Sequence, residues 1–105
     1  MLFLICLPII SNAMDFDNCK VIEIVTEGKN NANIRLNCLV TNGPAYANAG
    51  DYVGFDKSTD AGKQYMSVFL TAFASSASVA GLVNDTYCSL YQGNVALIEH
   101  LRMTK

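Results

Sequence analysis

Two sets of side chains in this chain could do chemistry. The first combines tyrosines with amides: Tyr46, Asn48, Tyr52, Asn84, Tyr87, Tyr91 and Gln92. Tyrosine offers an apolar ring and a hydroxyl, and Asn and Gln each offer a donor beside an acceptor. A sugar needs that mixture, with a flat surface under its CH faces and polar groups around its rim. The same residues would also serve simply to cover loop edges. The second set is acidic. Asp56 and Asp60 lie close in sequence, and Glu23 and Glu99 fall on stretches that read as strands. Asp60 is more simply a helix-end residue. An ion pair on the strands, with Arg102 for example, accounts for the two glutamates. His100, the single histidine, follows Glu99 directly but alternates to the other face of a predicted strand, and reads as a surface or wall residue rather than a general base. The chain carries no G-x-S-x-G, H-E-x-x-H, P-loop or G-x-G-x-x-G. The sequence therefore predicts no catalytic, metal or cofactor site. It nominates Tyr46, Asn48, Tyr87, Tyr91 and Gln92 as ligand-binding candidates. Asn84-Asp85-Thr86 matches a glycosylation sequon, which has meaning only in a eukaryotic secretory route.

Four elements of β type and one helix must position these residues, with one further strand closing the set. Cys19 to Thr26 is rich in β-branched residues and reads as the first strand. Glu27 to Asn31 is a turn, with Gly and Asn able to take positive φ. Ala32 to Val40 alternates cleanly: Ile34, Leu36, Cys38 and Val40 on one face, Asn33, Arg35 and Asn37 on the other. Thr41 to Gly50 is irregular, and Asp51 to Phe55 is a short third strand whose Gly54 suggests a bend or bulge. Ser58 or Thr59 can cap a helix over residues 60–75, with Tyr65, Met66, Phe69, Leu70 and Phe73 as its apolar stripe. Val79 to Asn84 and Val95 to Met103 are the last two strands, joined by a loop over residues 85–93. On the last strand, Val95, Leu97, Glu99, Leu101 and Met103 would share one face.

The expected fold is thus mainly β with one helix, in the order β-β-β-α-β-β. A helix between the third and fourth strands is the layout of a five-stranded oligonucleotide/oligosaccharide-binding (OB) barrel. Closing the barrel leaves no open edges on a small core. The loops between strands one and two, and between strands four and five, would frame its ligand face.

Residues 1–13, MLFLICLPIISNA, read as a signal peptide: an apolar run, then Ser11-Asn12-Ala13 as a small-x-small cleavage site. Residues 14–105 would be a single domain, with Asp15 and Asp17 in a tail. The reading places the protein in a secreted or periplasmic compartment. Of four cysteines, Cys6 lies in the presumed signal, leaving Cys19, Cys38 and Cys88. Two would pair in an oxidising compartment. In a barrel, strand one lies beside strands two and four, which favours Cys19–Cys88, with Cys38 as a core thiol and Cys38–Cys88 as the alternative; sequence does not settle connectivity.

The run Tyr65 to Ser75, then a strand over Val79–Asn84, then the isolated Cys88 and a final strand resembles small secreted bacterial proteins. It also resembles the B subunits of subtilase-cytotoxin-like and pertussis-like toxins. That resemblance implies an OB barrel, a homo-oligomeric ring and binding of sialylated cell-surface glycans.

Composition limits the function classes. Hydrophobic residues make up 51% of the 105, charged residues only 15%, and the net charge is −2. A disordered chain would be poorer in apolar residues and richer in charge. There is no basic field to attract nucleic acid, and no apolar run long enough for a membrane helix. The expectation is a secreted, non-catalytic binding protein for a glycan. The other reading is a periplasmic protein–protein interaction or inhibitor/immunity-type protein.

Overall fold

A computed structural model describes residues 14–43, 50–88 and 95–104. The elements run β1 (Phe16–Cys19), β2 (Val21–Glu27), β3 (Asn31–Leu36), β4 (Tyr52–Asp56), α1 (Asp60–Ser75), β5 (Ser78–Cys88) and β6 (Ala96–Thr104). They form one six-stranded sheet in the order β1-β5-β6-β4-β3-β2. Neighbours are antiparallel except β4 and β6, which are parallel. The described residues are mainly β with one helix, as the sequence indicates. The ladder has six strands rather than five and does not close into a barrel. The expected first strand starts earlier and is interrupted at Lys20, giving β1 and β2. These two consecutive strands occupy opposite edges of the sheet.

Alternation builds the core. Ala32, Ile34 and Leu36 of β3, Val53 and Phe55 of β4, and Val79 and Val83 of β5 are buried on one face with Ala96 and Ile98 of β6. Phe69 and Ala72 of α1 cover them. Gly54 is regular in both its ladders, opposite Asn33 and Leu97, and is not a bulge.

The register slips at four other places, the longest on β5, where the stretch from Val83 to Cys88 faces only Ile98 to Ala96 of β6. On β1, Phe16 faces Gly81 and Cys19 faces Val79, so β1 carries an extra residue; Asn18 there has a φ of 52°. On β2, Ile22 is extra between Val21↔Leu36 and Glu23↔Arg35. On β6, Glu99 is extra between His100↔Leu82 and Ile98↔Val83. An extra residue reverses which face later side chains meet. Ala96 and Ile98 therefore point inward before Glu99, and Leu101 packs on the core after it. The sequence reading, which put Val95, Leu97, Leu101 and Met103 on one face, carried a single alternation through this bulge.

The helix has the predicted bounds. Thr59 is its N-cap, its hydroxyl oxygen accepting from the Gly62 N–H at 2.9 Å, and Asp60 lies in the first turn. Ser76 ends it in the left-handed conformation, φ 58°. The Lys20 ammonium donates to the Ser76 carbonyl, placing a cation at the helix C-terminus. The buried stripe is Gly62, Phe69 and Ala72 with Tyr65 and Met66 partly covered. Leu70 and Phe73, expected in that stripe, are half exposed because they lie further round the helix.

Cys19 is bonded to Cys38, with Cα atoms 5.8 Å apart. This corrects the expected Cys19–Cys88 pair. The β2–β3 hairpin returns the chain to the point where β1 ended. There the Asn37 N–H donates to the Lys20 carbonyl at 3.0 Å, and the Lys20 N–H donates to Asn37 Oδ1 at 2.8 Å. Cys88 lies at the far end of β5, opposite Ala96, whereas Cys19 faces Val79 near the start of that strand. The bond suits an oxidising compartment. No helix among the described residues is long and apolar enough to cross a membrane.

Asp15, read from sequence as part of a tail, is buried. Its carboxylate accepts from the buried Val83 N–H at 2.8 Å and from Asn42 Nδ2 at 2.7 Å. Its own N–H donates to the Gly81 carbonyl at 2.9 Å, and its carbonyl accepts from the Thr41 N–H at 2.8 Å. Residues 1–13 lie outside the described part of the chain.

Candidate ligand cleft

The pairing of β4 with β6 covers only Val53↔Ala96 and Gly54↔Leu97. Beyond that point the two parallel strands are not paired, and the Glu99 bulge turns β6. A cleft of about 540 Å³ opens there, over the N-terminal turn of α1. Phe55 and Asp56 line it from β4, Leu97 and Glu99 from β6, Asn84 from β5, and Gly62 and Tyr65 from α1.

Its walls are held by specific contacts. The Tyr65 hydroxyl donates to the Glu99 carbonyl at 3.0 Å, where the bulge interrupts the regular ladder. The Tyr65 ring meets Phe55 edge to face at 5.7 Å, and Phe55 stacks on Phe69 at 5.8 Å. Tyr65 is therefore a positioned aromatic rather than a free one. Asn84 Nδ2 donates to Glu99 Oε2 at 2.7 Å. The Thr59 hydroxyl donates to the Asp56 carbonyl at 2.9 Å while accepting from Gly62. Both the hydroxyl and the backbone N–H of Ser58 donate to the Asp56 carboxylate, and these bonds hold it below the usual aspartate range. Asp56 is thus charged throughout the neutral range. The cleft offers an aromatic surface, an amide and two acidic side chains, and among the described residues no basic side chain lines it.

Gly62 is what lets the helix reach the strand. A Cβ there would stand 1.8 Å from the Asp56 carbonyl oxygen. Gly62→Ala is expected to push the first helical turn off β4 and destabilise the protein by about 2 kcal/mol, within the range for overpacking. Chemical denaturation checks this. Unchanged stability would mean the helix start does not sit against Asp56.

The outer face of β2, β3 and β4 carries a second polar group. The Tyr52 hydroxyl donates to Glu23 Oε1 at 2.8 Å, and Arg35 Nε donates to Asp51 Oδ2 at 2.8 Å. The Arg35 guanidinium lies 5.9 Å from the Tyr52 ring centre. The bond to Glu23, with some desolvation, raises the Tyr52 phenol above its usual 10.0. Glu23→Gln removes the carboxylate charge and is expected to lower the Tyr52 pKa. Phenolate absorbance during alkaline titration reports it, and an unmoved midpoint would break the assigned bond.

Glu23 and Glu99 are not brought together: each has its own neutral donor. His100 is exposed, opposite Leu82. Among the described residues no group of three or more His, Cys, Asp or Glu is placed to hold a metal ion. Of the sequence candidates, Tyr46, Asn48, Tyr91 and Gln92 lie outside the described residues, and for Tyr87 only a backbone position on β5 is described. Sequence reading missed Tyr65 as a site residue because helical periodicity assigned it to the core. The signal available was its hydroxyl, which a buried tyrosine must satisfy. No protein-family model, curated protein or solved structure matches the chain.

Proposed function

We propose that this chain is a secreted, non-catalytic binding module that holds a carbohydrate in the cleft between β4 and β6. The observation that carries the reading is the cleft itself: a fixed tyrosine ring flanked by Asn84, Asp56 and Glu99 at an opening of about 540 Å³. Ring CH groups can pack on Tyr65 while hydroxyls meet amide and carboxylate acceptors. The Cys19–Cys38 bond supports a route through an oxidising compartment.

An OB-like connectivity is part of the proposal. If β1 and β2 are counted as one strand bent at Lys20, the order becomes 1-2-3-5-4-1, with strands three and five parallel. That count places the helix between strands three and four, the layout of ligand-binding OB modules and of the toxin B subunits the sequence resembles. Such a module would assemble with copies of itself, and light scattering on the oxidised protein tests that part.

The carbohydrate reading is tested on a glycan array with the oxidised protein and its Asn84→Ala and Tyr65→Ala variants. Binding that both variants weaken about tenfold or more supports it; a folded protein that binds no glycan removes it.

A second reading has its own observation. Leu39 is 75% and Ile22 48% exposed. Both line a hollow of about 300 Å³ beside the Arg35–Asp51 ion pair. Apolar anchors next to a charged pair suit a protein partner, as an inhibitor or immunity-type protein requires. Loss of a co-purifying protein in Leu39→Asp would favour it.

A further inference from the structure

The two edges of the sheet are built differently. β1, at one edge, has four residues, and its bulge holds Asn18 at a φ of 52°. Short length and bulges are usual ways of blunting an edge, as are Lys and Pro. β2, at the other edge, has seven residues, Val-Ile-Glu-Ile-Val-Thr-Glu, with neither Lys nor Pro. Over residues 23–27 it stays in unbroken register with β3, and its other side pairs with no described strand. A regular edge of this length is a template for another strand.

Its side chains state what that strand must carry. Glu23, Val25 and Glu27 share the outer face with Arg35 and Asn33, and Ile24 and Thr26 share the inner face with Ile34 and Ala32. A second β2 would bring glutamates against glutamates, which is unfavourable across a strand pair. The incoming strand must be basic on its outer face and apolar on its inner face.

The chain holds such a strand with an open side. β4 leaves β6 after Gly54↔Leu97, so over residues 100–104 β6 pairs with β5 alone among the described strands. His100 and Arg102 are exposed on its outer face, and Leu101 and the 41% exposed Met103 lie on its inner face. A hollow of about 570 Å³ opens beside the strand end, lined by Met103 and Thr104 with Thr71 and Ser75 of α1. The directions agree as well. β3 is antiparallel to both β2 and β4, and β6 is parallel to β4. β2 and β6 therefore run the same way, with their open sides toward the same end of the ladder. A copy turned by half a turn about the sheet normal lays its β6 antiparallel against β2, outer face beside outer face.

We infer that β2 of one copy pairs with residues 100–104 of β6 in another, in a head-to-tail contact that continues the sheet between copies. Glu23 and Glu27 then face His100 and Arg102, and Ile24 meets Leu101 and Met103. Each copy contributes two different edges, so the contact is heterologous. The inference rests on the self-assembly part of the reading above and not on its carbohydrate part.

Light scattering and sedimentation of the oxidised protein at several concentrations test it, with Arg102→Glu, with Glu23→Lys/Glu27→Lys, and with all three substitutions together. The parent should associate, and amides of β2 should exchange more slowly with solvent as concentration rises. Arg102→Glu and Glu23→Lys/Glu27→Lys should each weaken association about tenfold or more, because like charges then meet across the contact. The triple variant should regain association, because its charges are exchanged rather than removed. Arg102→Glu that associates as tightly as the parent would overturn the pairing. A triple variant that is folded by circular dichroism and still fails to associate would also overturn it. Either result leaves self-assembly standing through another surface. A parent that stays monomeric at every concentration would remove self-assembly and this contact together, and would leave the carbohydrate reading, which the cleft carries alone.

Discussion

Asp15→Ala is expected to destabilise the protein by about 3–4 kcal/mol, the sum of two lost hydrogen bonds to a charged acceptor. The carboxylate is buried and satisfies the Val83 N–H, which alanine would leave unpaired in the interior. It also holds Asn42, and so ties the chain after β3 to the middle of β5. Total stability of a domain this size is only about 5–15 kcal/mol, so the loss is a large share. Asp15→Asn keeps an acceptor oxygen for Val83 and should lose less than half as much. Urea unfolding of both variants measures the difference. Equal losses, or no loss from alanine, would mean the carboxylate does not hold this junction.

The second large effect concerns the Cys19–Cys38 bond. It closes a loop spanning a sequence separation of 19 residues, which contains the whole β2–β3 hairpin. The chain-entropy estimate for such a loop is about 3 kcal/mol. Removing both cysteines as serines should also free the chain around Lys20, where the path turns from one sheet edge to the other. Melting with and without reductant reads this directly. The parent and a Cys88→Ser variant should both lose stability on reduction, and the double serine variant should not respond. A Cys88→Ser protein indifferent to reductant would return the pairing to Cys88.

Local signals made much of this fold legible. Thr59, Asp60 and the spacing of Tyr65, Met66 and Phe69 define the helix, and β-branched alternation marks the strands. What sequence could not show is where alternation slips. Nothing in Ile98-Glu99-His100 announces an extra residue, because the bulge is decided by the partner strand β5. Yet that bulge helps to open the cleft and presents the Glu99 carbonyl to Tyr65. Asp15 was misread for a related reason: a polar residue near an end is normally solvated, and only β5 supplies the buried N–H that captures it. Asn33 was read as an outward polar residue, which it is by alternation. Its burial depends on neighbours remote in sequence, so its side-chain amide, which lacks a hydrogen-bond partner, had no local signature. The cysteine pairing failed with the assumption of a continuous first strand, since the break at Lys20 is what brings Cys38 back to Cys19.

The central claim is that the split between β4 and β6 is a carbohydrate site. Amide-shift mapping by NMR tests it most directly, with the oxidised protein titrated against neutral and N-acetylated oligosaccharides. The account predicts saturable shifts concentrated at Asp56, Gly62, Tyr65, Asn84, Leu97 and Glu99. A folded protein with no saturable shift at those residues, or shifts confined to Ile22 and Leu39, would contradict it.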